Sequence, residues 1–289
     1  MRDDAPSDPH TATALPEDLP LGEATTYPRV YAPEVLRTVP RSLGRQALEL
    51  AAGPLPFAGV DVWRAWELSW LDAQGKPAIG VAELEVPATS PKLVESKSLK
   101  LYLGSLFDRR FPSANVVAAL LLRDLTVLVG ARVGVRVIEP AAFAELAPAP
   151  LDGDSLDDLE LDGPLLADVA PQLLDGAADP SRVVDAAHVT RLFRSRCPIT
   201  GQPDWASVRV AYRGPAIDPR RLLRYLLSYR EHGGFHEACV EQIFVDLRRR
   251  CAAEHLTVQA CFTRRGGIDI NPWRSTADVR VATPRPWRS

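Results

Sequence analysis

At 289 residues, with 34 lysines and arginines against 37 aspartates and glutamates, the chain has a formal net charge of −3 and no overall basic field, which counts against direct nucleic-acid binding. The length suits one large domain or two of about 100 to 150 residues each. All four cysteines, Cys197, Cys239, Cys251 and Cys261, fall in the last third and form no C-x-x-C pair, so reduced thiols, no bound metal and a cytoplasmic location are expected. The most apolar stretch, residues 116–129, is broken by Arg123 and Asp124 and is shorter than the roughly 20 apolar residues a membrane span needs. The start, Met1-Arg2-Asp3-Asp4-Ala5-Pro6, lacks the basic and then apolar pattern of an export signal, and a soluble protein without membrane contact is expected.

Residues 1–27 are rich in Pro, Asp, Thr and Ala without a sustained period and read as a weakly ordered arm. A first module is expected over residues 28–138. In it Val62, Trp66, Leu68 and Trp70 lead into a turn at Asp72-Ala73-Gln74-Gly75-Lys76, and Ile79, Val81 and Leu84 return as the second arm of a hairpin. A helix over 116–128 follows Asn115, and Val133, Val135 and Val137 alternate as a strand. Residues 139–184 read as a linker whose acidic run, from Asp152 to Asp162, is expected to be solvated surface.

A second module over 185–289 repeats the order. Val208, Val210 and Tyr212 suggest a strand, Asp218-Pro219 opens a helix, another helix covers about 237–250, and Leu256, Val258, Ala260 and Phe262 alternate as a strand. Tyr102-Leu103-Gly104-Ser105 aligns with Tyr225-Leu226-Leu227-Ser228 at an offset of 225 − 102 = 123, and Asp124-Leu125 with Asp246-Leu247 at 246 − 124 = 122. A single-residue gap reconciles the two, which predicts two copies of a strand-strand-helix-helix-strand-strand unit. Open sheet edges on such units favour side-by-side modules in one continuous sheet or barrel, and further oligomers.

Four segments concentrate chemistry. Cys197 sits in Arg196-Cys197-Pro198-Ile199-Thr200-Gly201-Gln202-Pro203-Asp204-Trp205, seven residues ahead of a carboxylate in a stretch of turn-formers; it reads either as a nucleophile with its proton-transfer partner or as a buried structural thiol. Glu95-Ser96-Lys97-Ser98-Leu99-Lys100 packs an acid, two hydroxyls and two lysines into six positions, suited to phosphates at a helix start, or else an ordinary charged first turn with a serine cap. Gly233-Gly234-Phe235-His236-Glu237 offers close backbone approach, a ring to stack on a flat heterocycle and a carboxylate to accept its N–H groups, or a plain helix N-terminus. Arg264-Arg265-Gly266-Gly267 suits phosphate recognition outside a Rossmann fold, or is a hairpin with exposed arginines.

In that order the four segments resemble the NADPH-dependent 7-cyano-7-deazaguanine reductases, the nitrile reductases of queuosine biosynthesis, in their long two-module form. The resemblance covers about 27–275 and departs mainly in the arm and the acidic linker. It implies an α+β tunnelling fold (T-fold) of two tandem modules of antiparallel sheet plus helices, a homodimer, and a small-molecule deazapurine substrate whose nitrile is reduced by two NADPH per turnover through a covalent cysteine thioimide. By the same resemblance Cys197 would be the nucleophile, with Asp204 as proton donor and His236 as a further proton source. Val94, Glu95, Ser96, His236 and Glu237 would contact the substrate, and Ser96, Lys97, Arg265 and Gly266 the NADPH; the segments' own chemistry adds Phe235 to the substrate contacts, as a stacking ring, and Lys100 to the NADPH contacts, as a phosphate partner. Two other readings fit the residues: a cysteine hydrolase or cyclohydrolase acting on a purine-like ring, and a non-catalytic module holding a deazapurine or pterin with Cys197 structural.

Overall fold

The structure, a computed structural model, describes residues 27–50, 53–166 and 168–288; of the expected N-terminal arm only Tyr27 falls within them. Its strands are β1 (Thr38–Pro40), β2 (Ala58–Leu71), β3 (Pro77–Pro87), β4 (Lys92–Val94), β5 (Gly134–Ile138), β6 (Asp154–Ser155), β7 (Ala178–Arg196), β8 (Pro203–Ile217), β9 (His255–Phe262) and β10 (Ile268–Ser275). Its α-helices are α1 (Arg41–Gln46), α2 (Ser96–Gly104), α3 (Ala114–Val129), α4 (Pro219–Leu227) and α5 (His236–Cys251). Eight strands form one sheet in the order β5-β3-β2-β10-β9-β8-β7-β6, and β1 pairs with β4 beside it. This is the expected α+β architecture.

The β2–β3 hairpin turns where its sequence predicts: Asp72 Oδ1 accepts from the backbone of Gln74 and Lys76, both at 2.9 Å, and Gly75 takes a φ of +89°. On β2 the alternation puts Trp63 and Ala65 on the helix-covered face, but the register slips between Ala65 and Leu68. That bulge turns Trp66 and Glu67 out at the rim, while Leu68 and Trp70 return to the core.

The repeat proves to be physical as well as textual. Tyr102 donates to Asp124 and Tyr225 to Asp246, each at 2.6 Å, tying α2 to α3 and α4 to α5. Ser105 and Ser228 each donate to the carbonyl of the tyrosine three residues before, at 2.6 and 2.7 Å, and each accepts from the backbone N–H of an alanine, Ala32 or Ala170. Those alanines open matching segments, Ala32-Pro33-Glu34-Val35-Leu36 and Ala170-Pro171-Gln172-Leu173-Leu174, that extend the repeat beyond the boundaries read from sequence.

Two differences from the expected unit stand out. The first half supplies only three strands to the sheet, because after β5 the chain turns at Pro140 into a 3-10 helix, Pro140–Leu146, instead of a fourth strand. The open side of β2 is filled by β10, which runs antiparallel to it from Ile268↔Ala65 to Ser275↔Ala58 and also pairs with β9. The backbones come so close that a Cβ on Gly59 would lie 2.3 Å from the Trp273 carbonyl oxygen. In addition, β7 begins at Ala178, inside the stretch read as linker, and part of the acidic run is docked rather than solvated: Asp157 accepts from the Thr190 hydroxyl at 2.8 Å and the Arg191 N–H at 2.9 Å, and Leu156 is buried.

Each half keeps its own core, one around Leu99, Tyr102, Val117 and Leu121, the other around Tyr225, Val240, Phe244 and Val258. At the seam between them lies a buried ion network. Arg274 reaches Asp61 at 2.8 Å and Glu241 at 2.9 Å, Arg41 pairs with Asp61, and Arg45 reaches Glu241 at 2.7 Å. Arg274 and Asp61 are fully buried. The C-terminal segment, for which composition suggests no role, straps the second face of the sheet: Gln259 donates to the Ala282 carbonyl at 2.7 Å, Arg64 to that of Thr283, and Ala149 to that of Arg285 at 2.9 Å.

Candidate active site

Cys197 stands at the tip of the β7–β8 hairpin, directly after the last residue of β7. Its N–H donates to the Gln202 carbonyl at 2.8 Å and its carbonyl accepts from Gly201 N–H at 2.9 Å, a closed turn that Gly201 completes with φ +66°. Ser195 pairs with Asp204 across the ladder, so by two-residue alternation Cys197 continues the face that carries Asp204. The thiol is 7% exposed, whereas Cys239, Cys251 and Cys261 are sealed; burial pushes those three up to about 12, 11 and 12.

Asp204 is itself buried and held from two sides. His236 Nε2 lies 3.3 Å from one carboxylate oxygen, and Arg265 donates to the other while also reaching the Gln202 side chain. Burial alone would raise this carboxyl, but the His236 and Arg265 contacts outweigh it and hold Asp204 below the usual carboxylate range. His236 is fixed by stacking on Phe262, ring centroids 3.7 Å apart and planes 10° from parallel, and its Nδ1 is buried without a protein partner.

Phe235 caps α5, and Glu237 lies in its first turn. Glu237 is pushed up to about 7, first by burial and then by the Asp61 charge, against a downward pull from His236 and Arg41. Glu95 is the N-cap of α2, correcting the expectation of a serine cap: one oxygen accepts from Lys97 N–H at 2.9 Å and the other from Ser98 N–H at 2.7 Å. Each oxygen keeps a second lone pair for a ligand. Asp218 caps α4 at the repeat offset of 218 − 95 = 123, its Oδ1 accepting from both Arg220 and Arg221 N–H.

One apolar cluster gathers these segments. Val39 and Leu93 are its buried centre, with Leu43, Ile199 and Phe235 packed on it, so Val94, Glu95 and Ser96, the Cys197 turn and the Phe235-His236-Glu237 start of α5 meet at one seam between the halves. A cavity of about 20 Å³ lies there, lined by Val39, Arg41, Leu93, Phe235 and Glu237 among others. It is the size of a water or two. Sequence reasoning missed Arg41 and Asp61, which reach the site through the buried network; the Arg41, Arg45 spacing across one helical turn of α1 was the available signal.

On the far side of Asp204, Arg265 leads into Gly266 and Gly267, with φ of +57° and +80°. A Cβ on Gly266 would lie 3.3 Å from Lys100 Nζ, which pairs with Glu67 at 3.4 Å. Bare left-handed backbone beside Lys100 and Arg265, with Lys97 in the same first turn of α2, is a donor set that fits the diphosphate of a dinucleotide. No cluster of three or more His, Cys, Asp or Glu suited to a metal occurs among the described residues, and no described helix is long and apolar enough to cross a membrane.

Comparison with known proteins agrees with this layout. Residues 27–137 match the family described as nitrile reductase, 7-cyano-7-deazaguanine-reductase N-term, and residues 203–280 match QueF-like protein. NADPH-dependent 7-cyano-7-deazaguanine reductases are similar over nearly their whole length. That of Bordetella parapertussis is 51% identical over 91% of this chain and 97% of its own. That of Burkholderia vietnamiensis is 50% identical over 90% and 94%, and that of Chromobacterium violaceum 47% over 93% and 95%. Among solved structures, the apo form of the archaeosine synthase QueF-Like aligns at 19% identity with a TM-score of 0.30, covering 34% of this chain and 96% of that one. At this identity and coverage the chain belongs to the NADPH-dependent 7-cyano-7-deazaguanine reductase family.

Proposed function

We propose that this chain reduces the nitrile of 7-cyano-7-deazaguanine to the primary amine, with Cys197 as nucleophile and two NADPH consumed per base. The observation that carries the residue assignment is the placement of Cys197 on the face of Asp204, with His236 and Arg265 holding that carboxyl ionised. The hydrolase and binding-module readings lack a comparable observation.

Cys197 sulfur adds to the nitrile carbon: a C–S bond forms, the triple bond becomes C=N, and the thiol proton passes through the Asp204 carboxylate to the nitrile nitrogen. Asp204 is therefore first a base and then the proton donor, each transfer contributing about 10²- to 10⁴-fold. Ser96, Lys97, Lys100, Arg265 and Gly266 would hold NADPH, which would supply one hydride to each of the two reductions. Between these reductions the C–S bond breaks and the thiolate leaves. His236, beside Asp204, resupplies protons, so that two hydrides and two protons convert the nitrile to the amine. Glu95 and Glu237 accept the N–H donors of the base, and Val94 and Phe235 pack on its ring.

The repeated tyrosine, serine and aspartate contacts support reading the chain as two T-fold units, the first over residues 28–138 and the second over 185–289 with the preceding segment from Ala170 and the start of β7 added to it, and we take a homodimer as the working assembly. Activity is tested by following nicotinamide absorbance with the nitrile base. Two NADPH oxidised per base, and none by Cys197→Ala, is the expected result; substrate loss without NADPH oxidation would overturn the reductase reading in favour of a hydrolase.

A further inference from the structure

A second crevice, about 500 Å³, lies on the sheet face opposite the helices, between the β2 bulge, β3 and the 3-10 helix Pro140–Leu146. Val81 marks that face, since it alternates with Ala82 and Leu84 of the helix-covered core and packs instead with Ile138 and Leu146. Two arginines from distant parts of the chain stand over the Trp66 ring here, Arg264 and Arg285, each 5.2 Å from its centroid. Neither makes an ion pair or a side-chain hydrogen bond with any described residue, and Arg285 Nε is buried without a partner. Two nearby carboxylates are engaged elsewhere by hydrogen bond or ion pair: Glu67 with Lys100, and Asp269, which feels the Arg264 charge, with the Trp66 indole and Asn271 N–H groups. Ile79, Phe143 and Leu146 supply the apolar wall.

Two guanidinium groups that face one indole in a mostly apolar crevice, with no ion pair or side-chain hydrogen bond of their own, repel each other, and they are a built site for a ligand that joins a flat apolar ring to a phosphomonoester. Arg264 directly precedes Arg265 and Gly266, so the backbone at Gly266 is at most about 7 Å from that at Arg264. One turn thus touches Asp204 on one side and the crevice on the other. The C-terminal strap holds Arg285 in place, through Thr283 on Arg64 and the Arg285 carbonyl on Ala149.

We propose that this crevice binds the adenosine end of NADPH, with the 2′-phosphate on Arg264 and Arg285 and the purine against Ile79 and Phe143, and that it selects NADPH over NADH. The inference rests on the reductase reading above. NADPH and NADH differ only in that phosphate, so titrating wild type, Arg264→Ala, Arg264→Lys and Arg285→Ala with each dinucleotide, by energy transfer from protein tryptophan to bound nicotinamide, isolates its contribution. Arg264 is exposed, which keeps the test valid should loss of Arg285 loosen the strap. The expected result is a Kd for NADPH raised about tenfold or more by either alanine, the value of a charge-assisted hydrogen bond. The Kd for NADH stays within about twofold, and Arg264→Lys recovers part of the loss. An unchanged NADPH Kd in Arg264→Ala, or equal weakening of both dinucleotides, would overturn it. A wild type that reduces the nitrile equally well with either dinucleotide overturns the inference and spares the reductase reading; one that binds neither overturns both.

Discussion

Replacing Glu237 by Gln is expected to stabilise the fold while weakening the site. The carboxyl is raised from 4.5 to about 7 by burial and the Asp61 charge, so between those values the native state keeps a proton that the unfolded chain has lost. Stability therefore falls as pH rises through this window, fully present below 4.5 and lost above about 7. From 4.5 to about 7, at about 1.4 kcal/mol for each tenfold change in proton affinity, the total is about 3.5 kcal/mol. The charged groups acting on Glu237 are Asp61, His236 and Arg41, and all remain in the Gln variant, so the difference between the two proteins isolates position 237. Urea unfolding of both, from about pH 4.5 to about pH 8, should show the Gln variant gaining about 3.5 kcal/mol relative to wild type across the range. The same variant should bind the nitrile base more weakly at neutral pH, by at least about 1 to 3 kcal/mol. A stability difference that does not change with pH would refute the reasoning.

Asp204→Asn removes the proton carrier, so addition of Cys197 to the nitrile should slow by about 10²- to 10⁴-fold with base affinity little changed, as read by stopped-flow and equilibrium titration. Arg274→Met leaves Asp61 and Glu241 short of a buried partner and should cost about 3 to 5 kcal/mol in urea unfolding, whereas Arg123→Met, at an exposed ion pair, should leave the unfolding midpoint close to that of wild type. Tyr225→Phe removes the phenol from Asp246 and Tyr102→Phe removes it from Asp124; if the repeat is energetic as well as geometric, both should destabilise by about 1 to 3 kcal/mol in the same assay.

Local patterns carried well from sequence to structure. The Asp72–Gly75 turn, the helices around 116–128 and 237–250, and the tyrosine and aspartate that mark the repeat are all short-range signals, set by turn chemistry and a 3.6-residue period. What stayed hidden depends on pairings between distant residues. Nothing in the β10 sequence announces that it pairs with β2 some 200 residues earlier. Arg41, Asp61, Glu241 and Arg274 look like ordinary surface charges until the halves close on them. Glu95 was noticed for its charge, but its capping role required knowing where α2 begins. The Ala-Pro-x-x-Leu segments at 32 and 170 are legible as text but fall outside the regular elements whose periodicity marks the repeat. The site segments were found because each concentrates unusual chemistry in a few positions; the crevice at Trp66 was not, since Arg264 and Arg285 meet only through the C-terminal strap.

The covalent role of Cys197 is tested most directly by incubating the protein with 7-cyano-7-deazaguanine in the absence of NADPH and weighing it intact, followed by peptide mapping. A single adduct of the mass of the base, on the peptide carrying Cys197 and absent from Cys197→Ala, is the predicted result. A wild-type chain that binds the base and reduces it on NADPH addition, yet carries no adduct or carries it on Cys239, Cys251 or Cys261, would contradict the account.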